Sequence, residues 1–245
     1  MKIALSGKGG TGKTTIAASL ALTFARHGYQ VYAIDADPDA NLAQLLGVNE
    51  PLSPLVELEE VIEERVGGEG GLFALNPEVD DVLDDYSLEV EGVRLLRMGA
   101  VKQANSSCYC RENSFLKAVV DSLLFSREEV VIMDMGAGIE HLTRGTSRGV
   151  DLMLVVCEPS RISLQTAKTV SNLALEAGVP HVFYLGNRIR SEREREFLEK
   201  ELGEELLVSF AYDSLLLEKG LNDSAEIYVL EETEELFHHI TEGGR

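Results

Sequence analysis

The stretch GKGGTGKTT, residues 7–15, has the residue types and spacing of a loop that binds phosphate. It follows the apolar run KIALS and opens an apolar helical pattern. Glycines let backbone N–H groups turn toward an anion, and the N-terminus of the following helix adds a partial positive charge. In the spacing G-x-x-x-x-G-K-T, Lys13 reaches the β- and γ-phosphates of ATP and the Thr14 hydroxyl serves magnesium. Gly7, Lys8, Gly9, Gly10, Thr11, Gly12, Lys13, Thr14 and Thr15 thus form a candidate cradle. A glycine-rich turn without a ligand would need neither the Lys-Thr register nor the flanking strand and helix.

Two acidic loops could complete such a site. DADPDAN, residues 35–41, follows the apolar run VYAID, and DMGAGIEH, residues 134–141, follows VVIMD. Carboxylates at the C-terminal ends of strands lie where open α/β sheets bind ligands. Hydrolysis of Mg·ATP needs one carboxylate for the metal and one group to orient water. N-caps or turn residues would account for either loop alone but explain poorly why both accompany a phosphate loop.

A different chemistry resides in SSCYCREN, residues 106–113, where Cys108 and Cys110 are two of only 3 cysteines. In a reducing compartment such spacing points to metal or redox chemistry rather than a disulfide. The following NSFLKAVVDSLLF reads as an amphipathic helix beginning near Ser114, which places both thiols just ahead of a helix N-terminus that favours thiolate. Arg111 adds a positive charge. Two thiolates are too few for a four-coordinate site, and no third cysteine or histidine stands nearby in sequence. Cys157, inside the apolar run LMLVVCE, reads as a small core hydrophobe. His238 and His239 are adjacent and point to different faces of any helix, which suits a solvated tail.

These residues must be positioned by a scaffold. KIALS, VYAID, VRLLRM, VVIMD, LMLVVCE, HVFYLGN and LLVSF are apolar runs separated by helix-length segments, the pattern of a parallel sheet buried on both faces. The fold class expected is α/β: a doubly wound, mostly parallel sheet of about seven strands with helices on both faces. A chain of 245 residues with 44% hydrophobic content can form one domain over residues 1–245. Residues 52–91 are acidic and punctuated by glycine, and read as an insertion or helical excursion. SEREREFLEKELGEEL, residues 191–206, reads as a solvated helix. No apolar stretch approaches the ~18 residues of a membrane span, and the start lacks a secretory pattern, so a cytoplasmic protein is expected. A formal charge of −20 argues against nucleic-acid and membrane partners.

The second lysine of the loop, in G-K-G-G-x-G-K-T, resembles the deviant Walker A motif of SIMIBI ATPases, which include MinD, ParA, the arsenite-pump ATPase and the nitrogenase iron protein. That resemblance implies a nucleotide-sandwich homodimer in which Lys8 reaches the partner's phosphates. It also implies that Asp37 orients the attacking water, with Asp39 a rival, and that Asp134 holds magnesium through water. Gly136 and Gly138 would let that loop sense the γ-phosphate. Asn187 would read the purine edge, with Tyr212 and Asp213 in a later base-contacting loop.

Across most of the chain, GKGGTGKTT, DADPD, CYCRENSFL and MDMGAGIEHLTRGT in that order resemble the CooC-type accessory ATPases of carbon monoxide dehydrogenase. This implies support of nickel insertion, with the catalytic subunit of that dehydrogenase as partner. In the implied dimer, Cys108 and Cys110 of two subunits supply four thiolates for one zinc or nickel ion, the latter able to take a square-planar as well as a tetrahedral site. A MinD- or ParA-like positioning ATPase is the alternative, but the former carries a basic C-terminal helix where this chain has the acidic EETEELFHHITEGGR. An iron-protein-like carrier of an intersubunit iron–sulfur cluster is another; its cysteines lie far apart, unlike Cys-x-Cys.

Overall fold

All six residues of KIALSG are buried, and this first strand, β1 (Lys2–Gly7), occupies the middle of the sheet. The computed structural model describes residues 1–37, 39, 41–67, 78–99, 109–122, 128–137, 150–214, 216 and 227–242. In chain order β1 is followed by α1 (Lys13–Arg26), β2 (Gln30–Ala36) and the short α2 (Leu42–Leu45). A 3-10 turn (Leu55–Glu57), α3 (Glu59–Val66), α4 (Asp80–Tyr86), β3 (Leu88–Val90) and β4 (Val93–Arg97) come next. Then follow α5 (Tyr109–Ser122), β5 (Glu129–Met135), β6 (Leu152–Cys157), α6 (Arg161–Glu176), β7 (His181–Ile189), α7 (Glu192–Leu202), β8 (Val208–Ala211) and α8 (Glu232–Glu242).

Among the described residues the sheet has eight strands in the order β3-β4-β2-β5-β1-β6-β7-β8, and every pairing except β3 with β4 is parallel. Successive side chains of a strand face opposite ways, and the two cores follow that alternation. Ile3 and Leu5 join α1, α2 and α8 on one face, whereas Ala4 lies on the other with α3, α4, α5, α6 and α7. Both faces are covered, which is why β1 and β6 read as unbroken apolar runs. The seven expected strands are present, and the described residues add one more.

That strand, β3, lies in the segment read as an insertion or helical excursion. It forms an antiparallel hairpin with β4 across Glu91 (φ 50°) and Gly92 (φ 79°), the two positive φ values that a tight I′-type connection requires. The excursion also contains α3 and α4, as expected, and both pack against α5. Ile62 and Val66 of α3 and Val82 and Leu83 of α4 share a buried cluster with Phe115, Leu116 and Val119 of α5.

The helix after the cysteines needs a correction. It starts at Tyr109 rather than near Ser114, so Cys110 is a first-turn residue instead of preceding the helix. The apolar spacing that betrays an amphipathic helix begins only at Phe115; the polar turn before it carries Glu112, whose charge suits a helix N-terminus. Cys108 lies outside the described residues, as do Gly138 and His141.

The acidic segment after Ser191 is the helix expected, α7, with its charged residues largely exposed. At the C-terminus, α8 is no loose tail. Leu236, Phe237 and Ile240 are buried, and Phe237 meets Phe24 of α1 edge-on at 4.9 Å between ring centroids. Among the described residues, no helix is long and apolar enough to cross a membrane.

Candidate active site

The C-terminal ends of β1, β2, β5, β6 and β7 lie side by side, and each delivers a polar group to the same edge of the sheet. Gly7 ends β1 at φ 147°, and a Cβ there would sit 2.2 Å from the Val156 carbonyl oxygen of β6, so the chain can turn into the loop only as glycine. The loop is closed on itself, because the Thr11 amide and hydroxyl both donate to the Lys8 carbonyl, at 3.3 and 2.8 Å. Gly12, at φ 89°, caps α1 and delivers Lys13 as its first residue. The Lys13 ammonium is buried, donates to the Lys8 carbonyl at 3.4 Å and lies 3.9 Å from Asp37 Oδ2.

Asp37 and its rival are separated by geometry. Asp37 Oδ1 accepts the Asp39 amide at 3.1 Å while its other oxygen faces Lys13; Asp39 is exposed. The loop is held from beneath by Asp35, a residue that sequence reasoning passed over. Its two buried oxygens accept the Asp37 amide at 3.3 Å and the Leu42 amide at 3.0 Å. Burial raises its pKa against those hydrogen bonds, with Asp37 pushing the same way.

Asp134, next to last in β5, lies opposite Asp35 in register and is completely buried. Neither oxygen has a hydrogen bond of ordinary geometry. Burial pushes its pKa up to about 7; the nearby Thr14 hydroxyl and Lys13 pull it down, while Asp35 and Asp37 push it higher. A buried carboxylate without partners beside a hydroxyl is a donor set of hard oxygens, which fits magnesium. Just beyond it, the Gly136 carbonyl accepts the Ser6 hydroxyl at 3.0 Å and fastens this loop to β1.

Lys8 sits on the rim, its side chain 38% exposed, with its ammonium 3.9 Å from Glu158 Oε1. Arg188 meets the other oxygen of Glu158 at 3.4 Å. Glu158 was also missed, although it follows the same rule that drew attention to Asp35–Asn41 and Asp134: a carboxylate at the C-terminal end of a strand. Asn187, near the end of β7, donates its amide N–H to the Thr11 carbonyl at 2.7 Å and accepts the Arg188 amide at 2.8 Å. Tyr212 lies nearby, its ring 4.3 Å from the Arg190 guanidinium carbon, and Asp213 accepts the Tyr228 hydroxyl at 2.5 Å.

The remaining candidates stand apart. Cys157 is buried in β6, donates to the Leu185 carbonyl at 3.5 Å and has its thiol pushed up to about 12 by burial, so it is a packing residue. His238 and His239 are exposed and pair with Glu242 and Glu235 of their own helix. Among the described residues, no group of three or more histidines, cysteines or carboxylates could hold a metal ion.

Residues 2–225 match the CobQ/CobB/MinD/ParA nucleotide binding domain. The carbon monoxide dehydrogenase accessory protein CooC of Rhodospirillum rubrum is 40% identical, over 88% of this chain and 85% of that protein. The chain is a CooC-type member of the MinD/ParA family. An uncharacterized ATP-binding protein of Methanocaldococcus jannaschii is 37% identical over 98% of this chain and 97% of its own length. In fold, this P-loop ATPase superposes on the cell division ATPase MinD of Pyrococcus furiosus with a TM-score of 0.69, at 24% identity, covering 98% of each chain.

Proposed function

We propose that this CooC-type ATPase hydrolyses ATP as a nucleotide-dependent homodimer and uses that cycle to support nickel insertion into a carbon monoxide dehydrogenase, in the cytoplasm. The observation that carries the nucleotide part is the buried Asp134 carboxylate, without a hydrogen bond of ordinary geometry, beside Lys13 and Thr14 at the phosphate loop and Asp37 after β2. Its burial costs free energy unless a cation is to be met there. Similarity to CooC over most of both chains supports the client.

In this reading the loop N–H groups and Lys13 bind the β- and γ-phosphates and hold the γ-phosphoryl for in-line attack. Thr14 and, through water, Asp134 would hold the magnesium ion, which supplies charge neutralisation to the triphosphate. Asp37 orients the attacking water; its present contact with Lys13 exchanges for phosphate as the ammonium turns to the nucleotide. Lys8 leaves Glu158 to reach the partner's phosphates. Asn187 lies beside the base.

Cys108 and Cys110 of the two subunits bind one nickel or zinc ion as cargo at the two-fold axis. The first-turn position of Cys110 in α5 supports thiolate character at that position through the helix dipole. Sharing one dimer interface, metal and nucleotide alter each other's affinity by equal factors. A membrane-positioning role finds no support in α8, whose apolar residues are already buried against α1. Metal stoichiometry tests the cargo site: one metal per two chains, lost in both Cys108→Ala and Cys110→Ala, is expected. One metal per chain, or retention in either variant, refutes it.

A further inference from the structure

Asn187 makes contacts that reading a base does not require. Its Nδ2 donates to the Thr11 carbonyl across 2.7 Å, from the end of β7 into the middle of the phosphate loop. The opposite amide orientation would set Oδ1 against that carbonyl, and Oδ1 is already fixed by the Arg188 amide at 2.8 Å. Arg188 adopts φ 57° to offer that amide, where the β7–β8 register shifts between Gly186 and Ile189. On the loop side, Gly12 lies so close that a Cβ there would come within 2.2 Å of Asn187 Nδ2. Both surfaces are therefore shaped to bring this amide against the loop backbone.

The consequence follows from the planarity of one peptide. In a trans peptide the carbonyl and the next amide point in opposite directions. Holding the Thr11 carbonyl toward β7 therefore aims the Gly12 N–H away from it, and Lys13 follows directly. The Lys8 carbonyl closes the loop from within, through the Thr11 amide and hydroxyl. The carbonyl end of Thr11 is held by Asn187. We propose that Asn187 is a positioning residue that braces the phosphate loop through the Thr11 carbonyl and so sets its geometry for a triphosphate whatever the attached base.

This goes beyond a base contact and rests on the loop being the triphosphate site. One N–H and one lone pair of the amide remain after the two hydrogen bonds, sufficient for a purine edge. Base recognition and loop geometry then meet in one side chain.

The test uses the full chain and a ligand without a base. Asn187→Asp keeps an acceptor for Arg188 but turns an oxygen on the Thr11 carbonyl, and Asn187→Ala removes the donor without that repulsion, serving if the first variant does not fold. Calorimetry with Mg·ATP and with magnesium tripolyphosphate is run at a temperature where circular dichroism shows each protein folded. Both affinities should weaken, that for tripolyphosphate roughly tenfold for one lost hydrogen bond and that for ATP by at least the same factor because the base contact goes with it, and kcat at saturating ATP should fall. Weaker ATP binding with unaltered tripolyphosphate binding makes Asn187 a base reader alone and overturns the proposal, as does no change in either. Wild-type protein that fails to bind tripolyphosphate instead overturns the assignment of the phosphate loop beneath it.

Discussion

Replacing Asp134 by asparagine should change how stability depends on pH in the protein free of nucleotide and magnesium. Burial raises this carboxyl from 3.8 to about 7, and at about 1.36 kcal/mol per pH unit that rise amounts to about 4 kcal/mol. The native state retains the proton over a range in which the unfolded chain has already released it. The contribution to stability is thus fully present below about pH 4 and is lost as pH rises to about 7. The amide of the variant has no such proton to lose. Urea unfolding of Asp134→Asn and wild type in chelator, from pH 4 to 8, should therefore show the variant gaining on the wild type by about 4 kcal/mol across that span. Any constant penalty from the buried amide cancels in the slope, and carboxylates remote from Asp134 titrate alike in both proteins; Asp35 and Asp37, which are coupled to it, belong to the measured difference. Against a typical total of about 5–15 kcal/mol, a change of this size is easily read. A stability difference that stays flat with pH would refute the reasoning, because it would mean that Asp134 is ionised or solvated in the native state.

The other expectations concern turnover and assembly. Lys13→Ala should abolish productive ATP binding, whereas Asp37→Ala should retain binding by calorimetry and lose roughly 10²-fold or more in steady-state hydrolysis, as a group acting mainly in the transition state would. Normal hydrolysis by Asp37→Ala would transfer the role to Asp39 or another group. Lys8→Ala should remove the advantage of a non-hydrolysable ATP analogue over ADP in driving dimerisation, measured by sedimentation; equal dimer constants for the two nucleotides in wild type would contradict a trans role.

Much of the fold was legible because a parallel sheet buried on both faces leaves an unusually plain trace. LMLVVC and KIALSG could hardly be anything else once glycine and helix-length spacing surround them. β3 left no such trace, since Leu88–Val90 is a three-residue edge strand within an acidic stretch and has one partner. Its turn uses Glu91 at positive φ, where sequence rules look for Asn or Asp before glycine. The start of α5 was hidden because the periodic apolar spacing in the sequence begins only at Phe115. At the site, Lys13 and Thr14 could be singled out by motif, as their spacing is local, and Asp134 by its strand-end position and by resemblance. The roles of Asp35, Glu158 and Asn187 depend on which strand ends become neighbours, a property of strand order that no local pattern encodes. For Asn187 the position was anticipated, but its grip on Thr11 was not.

The packing of α3 and α4 on α5 sets a condition on transplanting the cysteine motif. Phe115, Leu116 and Val119 are each at most 3% exposed, and the excursion, least informative as sequence, contributes Leu55, Ile62, Val66, Val82 and Leu83 to the cluster that encloses them. Grafting CYCRENSFLKAVV alone onto a relative that lacks this cover would give a helix with an uncovered apolar flank, prone to shift or stick to other chains. The transferable module is therefore the helix together with its cradle, two pieces separated in the chain by β3 and β4. Remodelling the cradle could reorient α5 without altering either cysteine, so the placement of this helix is open to variation at positions outside the motif.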